Sequence, residues 1–172
     1  MKLYYSEGAC SLSPHIVARE ANVKIDLAKV DLGTNKTDQG KTFSDVNPKG
    51  YVPALELDDG SLLTEGAVIV QYLADKAPAS KLIPAAGTLE RYRVQEWLNF
   101  IASEVHKGFS PLFGDGTDDV KKAAREALAP KFQLIVDALK GKKFLFGDTF
   151  TVADAYTFTV LGWAQYVKVE LP

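Results

Sequence analysis

Lys2-Leu3-Tyr4-Tyr5-Ser6-Glu7-Gly8-Ala9-Cys10-Ser11-Leu12-Ser13-Pro14-His15-Ile16-Val17 is the stretch on which the fold turns. Lys2–Ser6 reads as a short strand and Glu7-Gly8 as a turn. A helix follows over about Ser11–Asn22, because Leu12, Ile16 and Val17 recur at helical spacing. Pro14 falls in its first turn, where the missing N–H costs nothing. Lys24–Leu32, with Ile25, Leu27, Val30 and Leu32, reads as a second strand. Thr34–Phe43 reads as polar loop or weak helix. Pro53–Leu57 is a third strand, and Asp58-Asp59-Gly60-Ser61 turns it into a fourth beginning at Leu62. Gly66–Lys76 is a helix with an Ile69, Tyr72, Leu73 stripe. The order is βαβ followed by ββα.

Ala77–Thr88 holds Pro78, Pro84 and Gly87 and no periodic pattern, so residues 78–88 read as a linker. All that follows reads as helix. Leu89 to about Gly108 carries Val94, Leu98, Ile101 and Val105 at spacings of 4, 3 and 4, a core stripe. Asp118–Lys140 is a second helix, bent at Pro130 and closed by Gly141. Thr151 to about Lys168 is a third. Thr151 with Asp154 forms a capping box, in which the Asp154 carboxylate accepts from the Thr151 N–H and Thr151 Oγ from the Asp154 N–H. The helix beyond is apolar nearly all round, hence buried, and the pair is assigned to folding. The expected organisation is an α/β domain over 1–77, the linker, and an all-α domain over 89–172.

The 172 residues are 47% hydrophobic and 24% charged, with a formal net charge of −2. This is globular composition. No basic patch points to nucleic acid or an anionic membrane, and no apolar run reaches the roughly 18 residues of a membrane span. The opening MKLYYSEG is no secretory leader, although a processed periplasmic chain would look the same. One cysteine excludes an internal disulfide, and with only His15 and His106 far apart no metal site is expected. A reducing cytoplasm is the default home.

Three local patterns carry chemistry. Cys10 lies between a strand and a helix start, where unpaired N–H groups and the helix dipole favour a thiolate; the alternative is an inert, packed cysteine. In Asn47-Pro48-Lys49-Gly50-Tyr51-Val52-Pro53-Ala54-Leu55, a cis Val52-Pro53 bond would turn the Val52 N–H and C=O toward a bound peptide, whereas a trans bond would merely end a loop. In Thr64-Glu65-Gly66, the Glu65 carboxylate can accept from a ligand ammonium while the helix start binds a carboxylate, or it simply complements the helix dipole. A ligand with a thiol, a peptide backbone, and an ammonium beside a carboxylate answers all three: glutathione has that pattern.

These residues resemble the bacterial beta-class glutathione transferases over essentially the whole chain. The resemblance rests on Met1–Tyr5 through Gly8-Ala9-Cys10-Ser11-Leu12-Ser13, Asn47–Leu55, Leu62–Gly66, Trp97–Lys107 and Phe150–Tyr156. It implies a thioredoxin-like first domain, a helical second domain and a homodimer with two glutathione sites. It implies that Cys10 contacts the glutathione sulfur and holds it as a mixed disulfide, that Val52 before a cis Pro53 pairs with the cysteinyl backbone, and that Glu65 and Gly66 bind the γ-glutamyl end. His106 would reach the site from the second domain, and Asn99, Ser103 and Glu104 are carried over with it. Asn99, Ser103 and His106 also share one face of an α-helix, roughly 130° from the core stripe.

Two departures stand out. The family lysine after the second strand, which reaches the glycyl carboxylate, falls here on Asn35, with Lys36 next to it. The chain ends at Leu171-Pro172, about one or two helices short of family members, so a tail cut short is the expectation. The implied reaction is conjugation of glutathione to a small electrophile, with no metal. Ser11 or a nearby donor would favour the glutathione thiolate and His106 would assist as a donor or acid/base. Tyr5, Phe109, Phe113 and Trp163 are candidates for an apolar co-substrate pocket. Two rival readings use the same fold: a glutaredoxin-like thiol–disulfide oxidoreductase, and a non-catalytic interaction protein.

Overall fold

The computed structural model describes all residues, Met1–Pro172. The chain divides into two compact units, Met1–Ile83 and Pro84–Pro172.

In the first unit, β1 (Lys2–Tyr5), α1 (Leu12–Glu20) and β2 (Asp26–Asp31) form the βαβ element, with β1 and β2 parallel. After β3 (Lys36–Thr37) and α2 (Phe43–Val46) come the hairpin β4 (Ala54–Glu56) and β5 (Leu62–Thr64), then α3 (Gly66–Asp75). The sheet order is β3-β2-β1-β4-β5. β4 runs antiparallel to β1, with Leu3 opposite Leu55 and Tyr4 opposite Ala54. The two-residue alternation of a strand therefore splits these pairs between the two faces. Tyr4, Ala28, Val30, Phe43, Val52 and Ala54 form one buried cluster. Leu3 and Leu55 are fully buried, as are Val17, Ile69, Val70 and Leu73 on α1 and α3, which pack together.

The segment expected as loop or weak helix, Thr34–Phe43, holds β3 and the first residue of α2. The Asp31 carboxylate accepts from the N–H groups of Gly33 and Thr34. These bonds, Thr34 first, hold its carboxyl below the usual carboxylate range. They close a turn tight enough for β3 to pair antiparallel with β2.

Loop 47–53 is organised by one buried side chain. Asn47 Nδ2 donates to Tyr51 O at 2.8 Å, Asn47 Oδ1 accepts from the Lys49 N–H at 3.2 Å, and Asn47 O accepts from the Gly50 N–H at 2.8 Å. Gly50 has φ +73°, a conformation at which a side chain would be strained. The Val52-Pro53 peptide is cis.

In the second unit one helical run is made of α4 (Leu89–Phe100), a π-helical turn (Ile101–His106) and α5 (Lys107–Phe113). Val94, Leu98, Ile101, Val105 and Phe109 are all buried. α6 (Asp118–Leu139) continues through Pro130 as a single helix of 22 residues. α7 (Val152–Leu161) passes into a 3₁₀ turn (Gly162–Gln165), so the third helix ends short of the expected Lys168. At its start the Asp154 carboxylate accepts three donors: the Thr151 N–H, the Thr151 hydroxyl and the Leu145 N–H, each at 2.8 Å. All lie away from solvent, and the carboxylate thus ties the loop before α7 to its first turn. No helix is long and apolar enough to cross a membrane.

Candidate active site

β1 ends at Tyr5 and the chain turns over residues 6–11 into α1. Ser11 decides the shape of that turn. Its buried hydroxyl accepts from the Ser6 N–H and donates to Ser6 O, both at 3.1 Å. The turn that this closes presents Cys10, one residue before α1's N-cap, with its thiol partly exposed. Ser11 therefore does not serve as a donor to a ligand sulfur, contrary to expectation: its single proton is committed to Ser6 O. Ser13 is likewise committed, to Cys10 O at 2.9 Å.

Cys10 Sγ donates to Val52 O at 3.3 Å. The start of α1 and the loop entering β4 are thereby joined at the ends of adjacent strands. The Val52 N–H donates to no group of the chain, although Val52 is 4% exposed. A buried, unpartnered peptide N–H is costly and uncommon, and it is satisfied when an extended peptide lies alongside.

Glu65 follows β5 and is the N-cap of α3. Its φ of 71° and ψ of 113° are rare for a residue with a side chain, and such strain clusters at ligand sites. Its carbonyl accepts from the N–H groups of Val68 and Ile69, both at 2.9 Å. The first N–H groups of the helix, from Gly66 on, have no partner within it. The Glu65 carboxylate is not idle: Lys49 Nζ lies 2.7 Å from Oε1, and 3.0 Å from Thr64 Oγ1. Sequence reasoning missed Lys49. Its place in the Asn47–Val52 loop, two residues from a buried asparagine, was the available signal. Asn35 has φ +56°, and its side chain donates to Ser44 Oγ at 2.9 Å.

In the second unit His106 ends the π-helical turn. Its Nδ1 is 2.8 Å from the hydroxyl of Tyr156 on α7, and its ring meets Trp163 edge-on at a centroid distance of 4.8 Å. Trp163 also stacks edge-on with Phe109 and Phe113. The four rings and Tyr156 form one aromatic cluster at which Phe113 is open to solvent. Asn99 and Ser103 are exposed, and Ser103 Oγ donates to Asn99 O at 2.9 Å. The single polar face expected for Asn99, Ser103 and His106 is thus not formed. A π-helical turn advances each residue by less than the 100° or so of an α-helix, and His106 turns inward toward α7. Glu104 pairs with Lys131 of α6 at 2.9 Å. No cluster of His, Cys, Asp and Glu is arranged to hold a metal ion.

Comparison with known proteins agrees with this arrangement. The model of the glutathione S-transferase N-terminal domain matches residues 8–76, and that of the C-terminal domain matches residues 100–172. The chain belongs to the glutathione S-transferase family, and it is an enzyme of that family. Glutathione S-transferase GstA of Escherichia coli O157:H7 is 49% identical over 172 residues, 99% of this chain and 86% of the relative. The crystal structure of the ternary complex of BphK, a bacterial glutathione transferase, superposes with a TM-score of 0.97 at 53% identity, covering 99% of this chain and 86% of that one. Within the family the chain groups with the beta class: the beta-class enzyme of Sphingomonas chungbukensis has a TM-score of 0.94 at 46% identity over 99% of this chain and 85% of that one.

Proposed function

We propose that the chain conjugates glutathione to small electrophiles, with the tripeptide held along the strand ends at Cys10, Val52 and Glu65. The observation that carries this reading is the unpartnered Val52 N–H beside the Cys10 thiol. It gives a cysteinyl backbone a donor and acceptor at one residue and sets the ligand's sulfur next to the protein's. The γ-glutamyl end then meets Glu65 and the N–H groups that open α3 at Gly66. Asn35, Asn99, Ser103, Glu104 and His106 are assigned to glutathione on the family resemblance. His106 is held by Tyr156 and keeps Nε2 for a hydrogen bond to sulfur or for proton transfer.

In the reaction the glutathione thiolate attacks an electrophilic carbon. A carbon–sulfur bond forms and the leaving group departs with the electron pair of its bond. Cys10 supports a second reaction at the same place. Its thiolate attacks the glutathione sulfur of a mixed disulfide substrate, releases the other thiolate, and a second glutathione thiolate then regenerates Cys10 with release of glutathione disulfide. Both reactions call for a reducing compartment, which suits a chain with one cysteine, and we place the protein in the cytoplasm.

A homodimer is part of the proposal. Leu89 and Tyr92, three residues apart on one side of α4, are 65% and 59% exposed, which a second copy would cover. Sedimentation should give twice the chain mass.

Retention on immobilised glutathione and release by free glutathione tests the main reading. A chain that passes through unretained would instead be the interaction protein considered from the sequence.

A further inference from the structure

The Lys49–Glu65 pair is used neither by the fold's core nor by the reading above. Lys49 is exposed, yet it is not free to wander. Its backbone N–H is held by Asn47 Oδ1, and its ammonium by Glu65 Oε1 at 2.7 Å and Thr64 Oγ1 at 3.0 Å. The hydrogen bond to Glu65 raises the Lys49 ammonium above its ordinary value. The loop that holds Lys49 is the one that ends in Val52. One six-residue loop, 47–52, therefore bears both the backbone contact for the cysteinyl unit and a cation against the carboxylate assigned to the γ-glutamyl unit.

The charges fit that unit in a particular way. The γ-glutamyl end carries an ammonium and a carboxylate on one carbon. Glu65 alone would greet only the ammonium, and with Lys49 already on Oε1 only Oε2 is open to it. Lys49 and Glu65 together present a positive and a negative group side by side, the mirror of the ligand's own pair.

We propose that Lys49 is a specificity-determining residue for glutathione, accepting the α-carboxylate of the γ-glutamyl end while Glu65 accepts its ammonium. The inference rests on the glutathione reading. A ligand with only one of the two charges leaves a member of the protein pair without its counterpart, and the enzyme discriminates against it.

Three thiols separate the terms in steady-state conjugation kinetics: glutathione, 4-aminobutanoyl-cysteinylglycine, which lacks the α-carboxylate, and glutaryl-cysteinylglycine, which lacks the ammonium. Lys49→Met should raise KM for glutathione about fivefold, a typical scale for an exposed charge pair, with kcat nearly unchanged. The same rise should appear with the glutaryl thiol and vanish with the aminobutanoyl thiol, and Lys49→Arg should restore most of the affinity. An unchanged or lowered KM for glutathione in Lys49→Met overturns the proposal, since Lys49 would then be idle or a competitor for Glu65. So does an equal rise with all three thiols, which would make Lys49 only a prop for the loop. A wild-type chain that shows no saturable use of glutathione is the separate failure, that of the underlying reading.

Discussion

Cys10 and Val52, 42 residues apart in sequence, meet through a 3.3 Å hydrogen bond from the Cys10 thiol to the Val52 carbonyl oxygen. Only the protonated sulfur can donate in this way, so without ligand the structure holds Cys10 as a thiol. A bound peptide that donates to the same carbonyl competes with it and sets the sulfur free to ionise. The Cys10–Val52 contact thus couples occupation of the groove to the chemistry of the protein's one cysteine.

Cys10→Ala should separate the two reactions. Thiol–disulfide exchange should disappear, measured with a glutathione mixed disulfide as substrate. Conjugation of a halonitroaromatic compound should survive in part, because the helix start and the Val52 backbone remain. Equal loss of both would mean that Cys10 itself activates the glutathione sulfur.

Asp154→Ala should destabilise the second unit. It strands the Leu145 and Thr151 N–H groups, which lie away from solvent, and buried donors left without partners cost about 1–3 kcal/mol each. A loss of about 2–4 kcal/mol in urea unfolding is expected. Asp154→Asn, which keeps an acceptor oxygen, should lose less. Glutathione affinity measured well below the unfolding transition should stay within about twofold.

Gly108→Ala tests the packing of α5 on α6. A Cβ there would lie 2.6 Å from Leu128 Cδ2, and Leu128 is fully buried. Relief from glycine's backbone freedom favours the change by up to about 1 kcal/mol, against a cost of about 1–3 kcal/mol for overpacking. Overpacking wins, and the melting temperature should fall. Adding Leu128→Ala should cost less in the Gly108→Ala background than alone, and a double-mutant cycle measures that coupling.

Tyr4 and Glu56 make stability fall at both pH extremes. Burial first, then the hydrogen bond to Glu56 and its charge, push the Tyr4 phenol from 10.0 up to about 12. The folded state therefore binds its proton more tightly than the unfolded chain. Stability from this source is complete below about pH 10 and is lost as pH rises toward 12. Glu56 is held below the usual carboxylate range, chiefly by the Tyr4 hydroxyl and also by Lys2. Its contribution is present above that range and is lost in acid. Tyr4→Phe should flatten the alkaline limb of a plot of urea midpoint against pH and weaken the acid limb.

The β-hairpin was legible because its turn is local. Asp59 accepts from the Ser61 N–H and Gly60 takes φ +81°, both written in Asp58-Asp59-Gly60-Ser61. The buried stripe from Val94 to Val105 was legible for the same reason: it is periodic. β3 and α2 were not, since two and four residues are too few to show a period. The function of Ser11 was misread because a hydroxyl at a helix start can face a ligand or its own chain, and only the backbone at Ser6 decides. Cys10, Val52 and Glu65 stood out as separate signals, but the contact between the first two and the pairing of Glu65 with Lys49 depend on strand register. The π-helical turn left no mark on the apolar stripe, and so the direction of His106 was hidden.

That wide turn also fixes how much length the helical run tolerates. Ile101–His106 lets Val94 and Leu98 on one side and Phe109 and Leu112 on the other all reach the interior. Removing a single residue within it would rewind the segment as ordinary helix and swing everything beyond by about 100°. Phe109 would leave the core and His106 would lose Tyr156, without any contact residue having been altered. Chain length between Ile101 and His106 is therefore as much under constraint as residue identity.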